Sequence, residues 1–337
     1  MIVGLLLTSL LSSASLARAD QAPLQSSAAT SASAGAASQS GSATASASGA
    51  FDTSAKHFDC GTKIQNDSPH FLDTVQKLHN GTGVGKSRVK VNGGGSPAGH
   101  AALAVRQAPI AVDTYFHIVS TNANNGKVTQ DMPQKQIAAM NSAYQASGVS
   151  FNLKGTDWTV NDVWAVGATD ADDQAMKSAL RKGTYDALNI YFMSDLAGGV
   201  LGKCSLPDDV GPVPVDPSTY TTDGCNVQAQ TMPGGATLGY AQGMTAVHET
   251  GHWLGLLHVF EGYSCDSDGD YIADTPIQST STDGCPTNPA KDSCPSQPGL
   301  DAIHNIMDYS TDACYTGFSA DQNTRISDMW TQYRVGK

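Results

Sequence analysis

Glutamate is nearly absent from this chain of 337 residues: among 31 acidic side chains only Glu249 and Glu261 are glutamates. Basic residues are scarce as well, 19 lysines and arginines, which leaves a net charge of −12. That balance argues against nucleic acid or an anionic membrane as partner, because both are held mainly through basic side chains. Long apolar runs are missing apart from Ile2 to Ala17, which falls short of the ~20 residues a membrane span requires. No internal repeat is evident.

What is present begins with export. The apolar run ends in Ala17-Arg18-Ala19, the small-x-small pattern of signal-peptide cleavage, so residues 1–19 are expected to be removed just before Asp20. The usual positive n-region is missing, and a retained anchor is the alternative that the length disfavours. Residues 20–50 are almost entirely Ser, Ala, Thr, Gly and Gln, too poor in large apolar groups to offset the entropy of ordering, and read as a disordered leader. Residues 51–106 are expected to be a pro-region. They hold glycosylation sequons at Asn66 and Asn80, the first weakened by Pro69, and a basic, glycine-rich stretch from Lys86 to Gly95 open to a processing protease. The boundary with a catalytic domain, 107–337, would fall between that stretch and Arg106. Seven cysteines fit an oxidising compartment, and their odd number leaves one over.

Order is expected from Ile110, where Val112, Tyr115, His117 and Val119 lie in a β-branched and aromatic run. A helix over Gln134 to Ala146 follows Pro133, then strands over Val149 to Leu153 and Trp158 to Val166, a helix over Gln174 to Arg181, and a buried strand over Ala187 to Met193. Alternating strands and helices imply an α/β half built on a mostly parallel sheet. After Cys204 the chain is rich in Pro, Gly, Asp and Thr, with one apolar helix over Ala241 to Leu254. Beyond Phe260 it is loop-rich, with four cysteines.

That apolar helix carries His248-Glu249-Thr250-Gly251-His252. Four residues advance a helix by about 400°, so both imidazoles leave nearly one face. Gly255 can take the left-handed conformation that ends a helix and lets the chain return His258 to the same ion. Three nitrogen ligands leave one position of a tetrahedral zinc open, which marks a catalytic rather than a structural site. Glu249, one of the two glutamates, stands beside the first ligand, where a general base for water is needed.

The segment from His248 to His258 resembles the extended zinc motif of the metzincin proteases at every fixed position. With Asn305-Ile306-Met307-Asp308-Tyr309 downstream it is similar to the pappalysin group, in particular fungal extracellular metalloproteases and their ulilysin-like bacterial relatives. The resemblance runs from about Ile110 to the C-terminus and includes Leu188 to Tyr191 and Gly199 to Gly202. It implies an α/β zincin fold: an N-terminal subdomain with a twisted sheet and the zinc helix, an irregular disulfide-stapled C-terminal subdomain after about Gly255, and a cleft between them. It also implies a zinc endopeptidase acting on extended protein or peptide substrates that add to an edge strand at Gly199 to Gly202. Met307 would floor the histidines and Tyr309 would approach the zinc; judged without the resemblance both are ordinary packing residues.

Cys265, Cys285, Cys294 and Cys314 allow three pairings by spacing alone. The resemblance implies Cys265 with Cys294 and Cys285 with Cys314, leaving Cys204 and Cys225 as a natural third pair. Cys60 is the odd one, in Asp59-Cys60-Gly61-Thr62. It is either a free or intermolecular thiol or a latency switch whose sulfur fills the open zinc position until the leader is removed. Asp266, Asp268, Asp270 and Asp274 crowd one turn and could hold calcium, or be a solvated acidic turn. Asp312 could favour Arg or Lys after the cleaved bond. His117 and His304 have no partner at ligand spacing. A secreted monomer is expected.

Overall fold

A computed structural model describes residues 58–64, 69–81 and 109–337. The expected signal peptide, the Ser/Ala-rich leader, Asn66 and the proposed processing stretch lie outside the described residues. The elements are α1 (Pro69–His79), β1 (Ile110–Ser120), α2 (Met132–Ala143), β2 (Val149–Val160), α3 (Asp170–Leu180), β3 (Leu188–Met193), β4 (Gly202–Cys204), β5 (Cys225–Gln228), α4 (Met244–Trp253) and α5 (Ala320–Met329). The sheet order is β2-β1-β3-β5-β4; β4 runs antiparallel to β5 and the other pairs are parallel.

β3 is buried along its whole length, as an unbroken apolar run in the middle of a parallel sheet must be. One face of the sheet meets α2 and α4 through Phe116, Ile137, Met140, Tyr144, Phe192 and Val247. The other is covered by α3 through Met176, packed with Val119, Tyr191 and Met193. Two polar links fasten α2 to the motif helix α4: Gln136 Nε2 donates to the Gly243 carbonyl at 2.9 Å, and the Tyr144 hydroxyl donates to the Val247 carbonyl at 2.8 Å.

Several boundaries differ from the sequence reading. Val149 to Leu153 and Trp158 onward are one strand, β2, with a register shift opposite Thr114 and Tyr115 that leaves Lys154 as an extra residue; the chain leaves the strand after Val160. α3 begins four residues earlier than expected because Thr169 and Asp172 form a capping box. Two helices were not anticipated. α5 follows a second capping box, Ser319 with Gln322, and continues into a π turn over Trp330–Arg334. α1 lies within the expected pro-region, so order does not begin at Ile110.

Arg334 ties this C-terminal turn to α4. Its guanidinium lies 3.6 Å from the Trp253 ring centroid, donates from Nε to the Trp253 carbonyl, and bonds the Asp223 carboxylate through both terminal nitrogens. The disulfides are Cys204–Cys225 between β4 and β5, Cys265–Cys294 and Cys285–Cys314; Cys60 is free and buried.

Candidate active site

α4 presents its histidines because of how it ends. Gly255 has φ +87°, its N–H donates to the His252 carbonyl at 2.8 Å, and the Leu256 N–H donates to the Gly251 carbonyl at 2.9 Å, the two bonds of a Schellman motif. A Cβ at position 255 would lie 2.4 Å from Met329 Cγ, so packing as well as conformation requires glycine. The reversal returns the chain, and His252 Nε2 lies 3.2 Å from both His248 Nε2 and His258 Nε2.

Three acceptor nitrogens meeting this closely need a cation between them. Ligands at ~2.0–2.1 Å in tetrahedral array stand about 3.3 Å apart, close to the spacing found, so the residues fit a zinc ion. The outer nitrogens are fixed to suit. His248 Nδ1–H donates to the Ile306 carbonyl at 2.7 Å and His252 Nδ1–H to the Leu256 carbonyl at 2.9 Å, while His258 Nδ1 faces Glu261 Oε2 at 3.5 Å. These partners turn the Nε2 lone pairs inward. Burial, then the neighbouring imidazoles, keeps His248 and His252 well below the usual histidine range, hence neutral.

Glu249 is fully buried beside the cluster, and burial pushes its carboxyl up to about 8 in the bare protein. Its Oε1 has no hydrogen-bond partner. β4 passes so near that a Cβ on Gly202 would lie 2.5 Å from Glu249 Oε1, a reason for glycine there. Met307 lies beneath α4: a Cβ on Gly251 would come within 2.5 Å of its Sδ. The turn holding it is fixed by two residues of the Asn305–Tyr309 segment to which sequence reading gave no role. Asn305 Oδ1 accepts from the Met307 N–H, and the Asp308 carboxylate accepts from Thr282 N and Oγ1, Gln278 Nε2 and Tyr309 N. Tyr309 brings its hydroxyl 3.3 Å from His258 Nε2.

The cleft is occupied by the chain's own residues 58–62. The Leu201 N–H donates to the Asp59 carbonyl and the Gly61 N–H to the Gly202 carbonyl, each at 2.8 Å, so this segment forms a parallel bridge with the free edge of β4. Cys60 Sγ then lies 3.5 Å from His252 Nε2 and 3.4 Å from Glu249 Oε2, and its ligand atom clusters with those of the three histidines. Burial and the adjacent Glu249 push the thiol well up in the bare protein; a cation in the cluster would hold it as thiolate. The Cys60 N–H donates to the Tyr309 hydroxyl, Thr62 Oγ1 to Glu249 Oε2, and Phe58 packs its ring against Tyr240, His248 and Tyr309. Phe58 and Thr62 were not singled out from sequence, since an isolated Phe or Thr in a polar leader carries no signal of its own.

The other expected site residues lie outside the histidine cluster. The Asp312 carboxylate accepts from the Gln242 N–H at 2.7 Å, just before α4, and burial raises it to about 6; its Oδ1 has no partner. The four aspartates of the acidic turn do not converge: among the described residues no three of their carboxylates share one ligand point. Asp274 instead accepts from Ser319 Oγ and the Asp321 N–H at the start of α5, because capping that helix is a closer use for its charge. Asp266 and Asp268 are exposed, and Asp270 is buried, bonded to Thr275 Oγ1 and the Ile272 N–H, with Oδ2 unpartnered. His117 is a satisfied core residue between Asp157 and Asn189, and Asn80 is exposed.

A mostly parallel sheet backed by a histidine-bearing helix that ends in a glycine turn, with a methionine turn beneath it, defines the metzincin class of metalloproteases. The M43 peptidase family, described as pregnancy-associated plasma protein-A, matches residues 171–331. An extracellular metalloprotease of Pyricularia oryzae is 48% identical over 242 residues, covering 71% of this chain and 82% of its own length; one of Aspergillus oryzae is 46% identical over 255 residues, 68% and 79%. Among solved structures, mirolysin in complex with compound 9 superposes with TM-score 0.55 at 26% identity, covering 66% of this chain and 92% of that one; a Tannerella forsythia promirolysin variant gives 0.54 at 25%, 67% and 82%. The chain belongs to the M43, or pappalysin, family of metalloproteases.

Proposed function

We propose that this is a secreted zinc endopeptidase, made as a latent precursor, with His248, His252 and His258 as zinc ligands and Glu249 as general base. The convergence of three Nε2 atoms, with that of His252 3.2 Å from each of the other two, carries the reading. Bound zinc would polarise a substrate carbonyl and acidify water. Glu249, whose Oε1 is unpartnered, takes the proton from the attacking water and passes it to the leaving amine. The Tyr309 hydroxyl, beside His258, donates to the oxygen on which charge develops, and Met307 holds α4 from below. An extended substrate takes the free edge of β4, where Asp59 to Gly61 now pair.

Residues 51–106 act as the pro-region and 107–337 as the catalytic domain. Cys60, its sulfur 3.5 Å from His252 Nε2 and clustered with the three histidines, would be a further ligand of a bound zinc and so keep the precursor silent. Relatives named extracellular, the expected signal peptide and three disulfides support secretion, and among the described residues no helix is long and apolar enough to cross a membrane. Asp312, with one carboxylate oxygen free of partners, would favour Arg or Lys after the cleaved bond; a cleavage survey without basic bias removes that role. For calcium, Asp270 is the residue of the acidic turn to test, and unchanged uptake by Asp270→Asn in equilibrium dialysis removes the turn as a site.

The deciding experiment is digestion of casein by processed protein. Chelation should abolish it and zinc restore it, and Glu249→Ala should lower it by on the order of 10³-fold while the protein stays folded. Casein cleavage that survives both the chelator and Glu249→Ala would refute the reading.

A further inference from the structure

The leader touches the enzyme at a second place, away from the histidines. In α1, Phe71, Val75 and Leu78 stand at i, i+4 and i+7, one face of a helix, and all three are buried. They pack with Leu257, Met329 and Tyr333, flanked by Leu206 and Tyr271. Polar contacts fix the register. The Tyr333 hydroxyl donates to the His70 carbonyl at 3.0 Å, which leaves the Thr74 hydroxyl to donate to Tyr333 at 2.7 Å. The opposite face of α1 carries exposed Gln76 and Lys77, while the His79 ring stands edge-on to Tyr271 at 6.0 Å, so the helix is a ligand on one side and a surface on the other.

We propose that Leu206, Leu257, Tyr271, Met329 and Tyr333 form a helix-docking groove whose occupant, α1, holds the leader on the enzyme after the chain between residues 82 and 108 is cut. The argument rests on the reading of residues 58–62 as an inhibitory segment. An 11-residue helix is marginal alone in water, so α1 depends on the groove for its order. The bridged segment at 58–64 and the helix α1 are only a few residues apart, so the leader is a bivalent ligand: while one part is bound, the other faces its site at an effective concentration in the millimolar range. A single cut behind the helix therefore leaves both contacts in place. Activation requires a second event that separates strand from helix or removes the helix. The groove also adjoins the site, since Leu257 precedes His258 and Met329 packs on Gly255.

The test uses the full chain with a specific protease site placed within 82–108, cut under native conditions and run on a sizing column with casein digestion assayed alongside. The cut leader should stay with the enzyme, and the material should stay silent. Phe71→Ala and Val75→Ala should each weaken retention by on the order of 100-fold, whereas Gln76→Ala should not change it. Cys60→Ala should keep most of the leader bound, because the helix still holds it. Loss of the wild-type leader on cutting, or retention by Phe71→Ala and Val75→Ala equal to wild type, overturns the groove. Casein digestion with the leader still bound would refute the inhibitory role of residues 58–62 while supporting the docking of α1.

Discussion

From Ile110 to Leu254 the chain is organised by apolar side chains on five strands and three helices, whereas from Phe260 to Phe318 it has only short turns and isolated bridges. The first stretch buries both faces of its sheet. The second is held by Cys265–Cys294 and Cys285–Cys314 and by carboxylates that take the place of a sheet ladder: Asp308 accepts four donors, and Asp301 accepts from Ser293 N and Oγ and from Lys291 Nζ. The site needs both. α4 supplies two histidines and Glu249, and the loop half supplies Met307 and Tyr309. Burial of apolar area is tolerant of small shifts, whereas a loop that sets an active-site residue through a few bonds is not.

The sharpest way to break this comparison is to remove Cys285–Cys314. Replacing both cysteines by serine should cost about 3–4 kcal/mol in denaturant unfolding and lower proteolysis as well. Removing Cys204–Cys225, which closes a loop of similar length between paired strands, should cost stability but less activity, because β5 is also held by β3. Equal activity losses would show that the halves are not held differently. Next, Asp308→Ala should cost about 3 kcal/mol, because it strands the buried donors of Thr282, Gln278 and Tyr309, and should reduce kcat more than it changes KM.

A pH effect should follow from the two raised carboxyls of this region, Asp270 at about 7 and Asp312 at about 6, both pushed up by burial. Between pH 4 and those values the folded chain holds protons that the unfolded chain has released, so their effect is to lower stability as pH rises through that window. Asp312→Asn should flatten the slope, by at most about 3 kcal/mol across it, in unfolding series at pH 4 and pH 7. An unchanged slope would show that Asp312 does not titrate there. The smallest effect belongs to the sheet half: Thr169→Ala removes the α3 cap and should cost about 1 kcal/mol with proteolysis unaffected.

The same division governed what could be read in advance. β1, β3 and α4 follow from apolar periodicity, and the zinc motif follows from spacing along one helix and its glycine stop. α5 was missed because its hydrophilic composition hid Ile326 and Met329, although Ser319 and Gln322 form a capping box. α1 was missed inside a segment read only for its sequons and its cysteine. The acidic turn has the composition of a ligand set, and composition gave no sign that Asp274 accepts from Ser319 and Asp321 at the start of α5. The role of Asp308 had no local signature, since apart from the Tyr309 N–H its partners lie 26 and 30 residues away.

Sequence alone therefore determined the motif helix, the strands β1 and β3 and the histidine spacing that makes His248, His252 and His258 candidate metal ligands, because these depend on residues a few positions apart. Only the tertiary structure decided that Cys60 reaches the histidines, that Phe58 and Thr62 seal the cleft, and that α1 docks beside Leu257 and Met329. Those contacts join residues separated by more than a hundred positions. Which distant surfaces meet is set by the packing of the whole chain, and no local pattern of residue types encodes it.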